Sequence, residues 1–186
     1  MKAKMSVEHK QKNIVWIDLE MTGLNPDVDQ IIEIATIITD ENLNILAEGP
    51  NDTIKAPQQL LEGMDEWNMT HHKKSGLYDR VLSSQITLED AEKRTLNFIK
   101  EWTVKDKNPL AGNSISQDRR FLYKYMPKII GQLHYRNIDV SSIKELQNRW
   151  WPELPHFQKS DSHRALDDIM ESIEELRYYK KTIFKK

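Results

Sequence analysis

The run N-I-V-W-I-D-L-E-M-T-G-L, from Asn13 to Leu24, constrains this chain more than any other stretch. Ile14, Val15, Trp16, Ile17 and Leu19 form an almost unbroken apolar string rich in β-branched and aromatic residues, which suits a central strand buried on both faces. Asp18 and Glu20 interrupt it. Residues two apart share a strand face, so both carboxylates project the same way. A buried carboxylate without a partner is costly, and two side by side repel one another. That face therefore calls for positive charge, either a divalent cation held by oxygen ligands or a structural ion pair with a Lys or Arg elsewhere. Gly23 and Asn25-Pro26-Asp27 turn the chain there, placing the pair at the strand's end near solvent.

The rest of the pattern describes one α/β domain over residues 1–186, with residues 1–12 as a flexible arm. Gln30–Thr39 reads as a second strand and Leu43–Lys55 as a third, joined by a tight Asp40-Glu41-Asn42 turn. Short helices broken at Gly63 and Gly76 follow, then a helix over Thr87–Val104 capped by Thr87 with Asp90 three residues on. Leu110–Asn113 reads as a short buried strand, Ser116–Met126 as a helix stopped at Pro127, and Tyr135–Val140 as the last strand. Helices over Ser141–Trp151 and about His163–Lys180 complete the chain, the latter capped by Asp161 or Ser162. The order predicts a mixed sheet of about five strands with helices packed on it. Trp150 and Trp151 are assigned to packing.

Composition narrows the function. The chain has no cysteine, which excludes a disulfide framework, a thiolate zinc site and a Cys nucleophile, and is compatible with a cytoplasmic protein. No run approaches the roughly 20 apolar residues of a membrane span, and the polar start lacks the apolar core of a signal peptide. The net charge of −2 lacks the basic excess of proteins that track long nucleic acids. A nucleic-acid substrate would therefore be short.

Two further acids and one histidine stand out. Asp118, in G-N-S-I-S-Q-D-R-R-F-L, opens a helix after a short strand, where an acid also has the plain role of complementing the helix dipole. In H-R-A-L-D-D-I-M-E-S-I, residues Ala165, Leu166, Ile169, Met170, Ile173 and Leu176 define a buried face. Asp167 and Asp168 flank that face about equally, so periodicity does not choose between them. His163 lies at the mouth of that helix, and a histidine with its ordinary near-neutral pKa can take a proton from water.

D-x-E on a first strand, a mid-chain Asp after N-x-x-x, and H-x-A-x-x-D on the last helix form an ordered set. This set resembles the DEDDh exonucleases of the RNase H-like fold, and within them the branch that acts on very short RNA. The resemblance runs from Trp16 to Tyr178 and is carried by W-I-D-L-E-M-T-G-L at 16–24, M-D-E-W-N at 64–68, S-G-L at 75–77, H-Y-R-N-I-D-V-S at 134–141 and S-H-R-A-L-D-D-I at 162–169. Its H-x-A-x-x-D register selects Asp168.

The resemblance implies two Mg²⁺ or Mn²⁺ ions about 4 Å apart, clamping a scissile phosphate. Asp18 would touch both, Glu20 and Asp168 would complete one site, and Asp118 would hold the other. His163 would act as general base, and 5′-mononucleotides would leave from the 3′ end. Leu24 and Trp67 resemble an apolar wedge for the terminal bases, and His72 a position near the terminal nucleotide. Ser114, Tyr135, Arg136 and Ser141 resemble a cap over the 5′ phosphate of a dinucleotide, with Tyr135 and Arg136 supplied across a homodimer. The competing expectations are a non-catalytic RNA-end-binding protein and a proofreading-type DNA exonuclease.

Overall fold

The computed structural model describes residues 6–158 and 164–184. Its centre is a five-stranded sheet in the order β3-β2-β1-β4-β5. The strands are β1 (Ile14–Met21), β2 (Ile31–Thr39), β3 (Ile45–Thr53), β4 (Leu110–Gly112) and β5 (Asn137–Asp139). β1 pairs antiparallel with β2, which pairs antiparallel with β3, whereas β4 and β5 add in parallel on the other side. The mixed sheet expected from the sequence is present, and the apolar run of residues 14–19 is its central strand.

Alternation along β1 sorts its side chains into two cores. Val15, Ile17 and Leu19 pack with Ala91, Leu96 and Ile99 of α5 (Leu88–Trp102) and with Phe121 and Leu122 of α6 (Ser116–Tyr125). Ile14 and Trp16 face the other way and pack with Ala165, Ile169, Ile173 and Tyr179 of α9 (Ala165–Thr182). Asp18 and Glu20 continue this second face, so it turns from apolar to acidic where α9 begins. Between β3 and α5 lie α2 (Gln58–Glu62), α3 (Glu66–Lys74) and α4 (Leu77–Ser83). Ile32 of β2 packs with Leu61, Leu77 and Val81 of α2 and α4. Gly76 precedes α4 at φ +72, a left-handed conformation that glycine adopts without strain.

Several elements differ from the sequence expectation at their ends. Residues 7–12, expected as a flexible arm, form helix α1 (Val7–Lys12). Ser6 caps it, and the amide of fully buried Asn108 donates to the Lys10 and Asn13 carbonyls at 2.7 Å each. Pro127 does end α6, but it also opens one more turn, α7 (Pro127–Ile130), because a proline at the first helical position needs no donor. β5 has three residues rather than six, since β4 offers only Leu110, Ala111 and Gly112 to pair with it. α8 runs Val140–Trp150, and Trp150, assigned to packing, is 61% exposed instead. The capping box at Thr87 and Asp90 stands as read.

Candidate active site

The two acids of β1 meet Asp168 from the first turn of α9: one carboxylate oxygen from each of Asp18, Glu20 and Asp168 lies within 4.8 Å of the others. Asp167 points away and is exposed, so packing makes the choice that periodicity left open. Asp118 arrives from the opposite side. β4 pairs with β1 only at Val15 and Trp16, so beyond them β1 runs on without a neighbour on that edge. The first turn of α6 fills the gap, and buried Asp118 accepts the Leu19 N–H at 3.1 Å. Asp118 is therefore tied to the strand that carries the other acids, beyond complementing its own helix.

Electrostatics show what this assembly lacks. Burial holds Asp18 well above the usual carboxylate range, and Asp118, Glu20, Asp168 and Glu33 push it further. Glu20 is pushed up to about 8, by burial first and then by Asp168, Glu33 and Asp118, with Arg80 pulling the other way. Burial also raises Asp118 to about 7, against the N–H bonds of its own backbone and Leu19. Asp18, Glu20 and Asp118 thus hold their protons more tightly than free carboxylates, and a cation would displace them. Hard oxygen donors at this spacing fit a divalent cation.

Glu33 of β2 lies directly across from Glu20 in the β1–β2 register, and sequence reasoning missed it. It is 3% exposed, accepts from Arg80 at 2.8 Å and Thr53 at 3.1 Å, and reaches the Ala165 N–H at 3.5 Å. The Arg80 guanidinium thus offsets a like-charge pair that would otherwise destabilise the sheet. The only signal in the sequence was a lone charged residue in the run Ile31–Ile38.

The expected substrate residues fall into two groups. Leu24 and Trp67 are 68% and 61% exposed, so neither side chain is spent on the core. The Leu24 loop is held by α6, where Gln117 donates to the Leu24 carbonyl and Tyr125 donates to the Pro26 and Asp29 carbonyls. Gly23 is required because a Cβ there would meet the Asp29 carboxylate at 2.5 Å. Trp67 is backed by His71, whose ring stacks at 3.9 Å and whose Nδ1 lies 2.7 Å from the Trp67 carbonyl. His72 is buried at the end of β1. Its Nε2 is 2.9 Å from the Met21 carbonyl and must donate there, leaving Nδ1 at 3.9 Å from Glu20. Burial lowers its pKa, so it stands as a neutral neighbour of Glu20 rather than an exposed base contact.

Ser114 and Ser141 meet at the ends of β4 and β5: their hydroxyl oxygens are 3.2 Å apart, and the Ser114 N–H donates to Ser141 Oγ at 3.0 Å. Tyr135 is 70% exposed, with the exposed Arg136 guanidinium 5.5 Å from its ring centre. The Arg136 N–H donates to His134 Nδ1 at 3.1 Å. His163 and the proposed caps Asp161 and Ser162 lie outside the described residues.

Comparison with known proteins gives the family and the fold. A family model described as exonuclease (RNase_T) matches residues 15–176. The chain is 57% identical over 175 residues to an oligoribonuclease of Vibrio cholerae serotype O1, covering 94% of this chain and 97% of that one. It is 55% identical over 170 residues to an oligoribonuclease of Pseudomonas aeruginosa, covering 91% and 94% respectively. Among solved structures, a zinc-bound E. coli exonuclease I complex with single-stranded DNA superposes with a TM-score of 0.72 at 16% identity, over 94% of this chain and 42% of that one. This chain thus spans about two-fifths of that enzyme, and the likeness establishes the shared RNase H-like fold. A family match over most of the chain, and relatives of more than half identical sequence along nearly their whole length, place the chain in the exonuclease family, among the oligoribonucleases.

Proposed function

We propose that this protein is a metal-dependent 3′→5′ exoribonuclease that degrades short RNAs, 5′-phosphorylated dinucleotides above all, to 5′-mononucleotides. One observation carries the reading: three carboxylate oxygens, from Asp18, Glu20 and Asp168, converge within 4.8 Å at the end of the central strand. Asp18, Glu20 and Asp168 would hold one divalent cation, and Asp18 with Asp118 a second. When bound, Mg²⁺ or Mn²⁺ would neutralise phosphate charge and make water acidic enough to attack.

The remaining work falls to side chains. His163, two residues before Ala165 in the sequence, would take the proton of the attacking water. Leu24 and Trp67 offer exposed apolar surfaces on which terminal bases stack, a contact worth roughly 1–3 kcal/mol per base and tolerant of any sequence. His72 would steady Glu20 from behind at the terminal-nucleotide end. Ser114 and Ser141 would receive the 5′ phosphate, closed over by the partner subunit's Tyr135 and Arg136 in a homodimer. The exposure of Tyr135 and Arg136 supports that last assignment, because a large aromatic ring and a guanidinium facing outward suit an interface.

The test is the polarity of degradation. Short RNA labelled at its 5′ end, incubated with Mg²⁺, should give a ladder of labelled products shortened one nucleotide at a time, with unlabelled 5′-mononucleotides accumulating from the start. A labelled mononucleotide as the first product, or equal turnover of DNA of the same length, would overturn the proposal.

A further inference from the structure

Asn113 directly follows β4 and precedes Ser114, and its amide is gripped by α9. Nδ2 donates to Ser172 Oγ at 2.8 Å and to Glu175 Oε2 at 3.1 Å. Both partners require a donor there. Ser172 commits its proton to the Asp168 carbonyl at 2.8 Å, and Glu175 is a fully buried carboxyl that also accepts the Tyr179 hydroxyl at 2.8 Å. With the amide nitrogen turned to α9, Oδ1 faces Ser141, whose hydroxyl donates to it at 2.9 Å. Ser141 Oγ then accepts the Ser114 N–H at 3.0 Å, which Asp139 Oδ1 also receives at 3.0 Å. These bonds hold Ser114 at φ +50, a left-handed backbone that serine rarely adopts.

Every bond in this chain runs one way, from Ser114 through Ser141 and Asn113 to Ser172 and Glu175. The direction is set at the buried end. Glu175 has no part in the chemistry described above, and a carboxylate beneath an anion seat would by itself repel the ligand. Its burial makes sense as the group that decides which way Asn113 faces, with Lys144 Nζ at 3.8 Å partly offsetting its charge.

We propose that Asn113, oriented by Glu175, is a positioning residue: it draws the Ser141 hydroxyl inward, leaves the Ser114 hydroxyl as the pair's donor to an anion, and thereby sets the preference for 5′-phosphorylated short RNA. This rests on the assignment of both serines to the 5′ phosphate. Neither Asn113 nor Glu175 touches a reacting atom.

The readout is the ratio of kcat/KM for a 5′-phosphorylated dinucleotide to that for its 5′-hydroxyl counterpart, measured on the full chain with excess Mg²⁺. Asn113→Ala should lower the ratio about tenfold, the worth of one hydrogen bond to a charged group. Mn²⁺ affinity, measured by calorimetry, should be unchanged. Glu175→Gln keeps an oxygen for Asn113 and should leave the ratio within about twofold of wild type, whereas Glu175→Met should lower it as Asn113→Ala does. If Asn113→Ala and Glu175→Met slow both substrates in proportion and leave the ratio intact, the clamp serves folding alone and the inference fails. Should Asn113→Ala not fold, the contrast between Glu175→Gln and Glu175→Met decides the matter. A wild-type ratio of one would overturn the 5′-phosphate assignment and this inference together, an outcome separate from the first because it is read before any variant is made.

Discussion

Asp18 sits where the demands of fold and chemistry conflict most sharply. Its neighbours Trp16 and Ile17 are buried in two different cores, while its own carboxyl is raised by burial and by four other acids. Asp18→Asn keeps the shape and removes one charge. Turnover should fall by more than about 100-fold, since a neutral amide is a poor cation ligand. The metal-free melting temperature should rise, by roughly 2–4 °C for each kcal/mol of repulsion relieved. Assays with Mn²⁺ and calorimetry in EDTA check both, and activity within tenfold of wild type would remove Asp18 from the metal site. At this scale the sequence was legible where residue type and strand period agree, as for Asp18 and Glu20. The choice of Asp168 over Asp167 came only through family resemblance, because both flank the apolar stripe equally. Glu33, Asn113 and Glu175 were not legible, because the partners that tie them to the rest of the site lie 20 to 132 residues away in the chain. No local pattern announces such a partner.

The acids come from β1, α6 and α9, and the elements that bring them together also desolvate them. Glu20 normally titrates near 4.5 and is raised to about 8 here, and Asp118 is raised from 3.8 to about 7. A raised folded-state pKa contributes stability below the unfolded value and loses it as pH climbs to the folded one. The metal-free protein should therefore lose melting temperature between about pH 4.5 and pH 8, and Asp52, also raised by burial, acts in the same sense. The downward shifts of Asp40, Asp65 and Asp90 take effect at lower pH, while that of His72 favours the neutral imidazole, adds stability as pH rises toward 6.5 and only partly offsets the loss from the raised carboxyls. Excess Mn²⁺ should stabilise more at pH 8 than at pH 5, because cation and protons compete for the same oxygens. Calorimetry across this range, with EDTA and with Mn²⁺, checks the sign; metal-free stability that rises with pH would contradict it. Strand periods and caps made β1, β2 and α5 readable in advance. β5 was overestimated because its length is set by a three-residue neighbour, and α1 was missed because its anchor, Asn108, is remote.

For the molecule as a whole, the proposed shared site makes a prediction about pairs of chains. Asp18→Asn lacks its metal site and Arg136→Ala lacks the cap it lends, so each homodimer should be weak on dinucleotides. In a mixed dimer, the Arg136→Ala subunit keeps its own acids and receives Arg136 of the partner subunit, which restores one complete site. Re-annealed mixtures should recover up to about half the wild-type rate per mixed dimer. Confirmed subunit exchange without recovery would place Arg136 in its own chain's site. The net charge of −2 lacks the basic excess needed to track a long nucleic acid, in keeping with a short substrate. The most direct measurement is turnover of 5′-phosphorylated RNAs of about two, three, seven and twenty nucleotides with Mg²⁺, where charge-assisted bonds to the 5′ phosphate should favour the shortest. The account predicts the highest kcat/KM for the dinucleotide and a steady decline with length; equal kcat/KM for the dinucleotide and the longest RNA would contradict it.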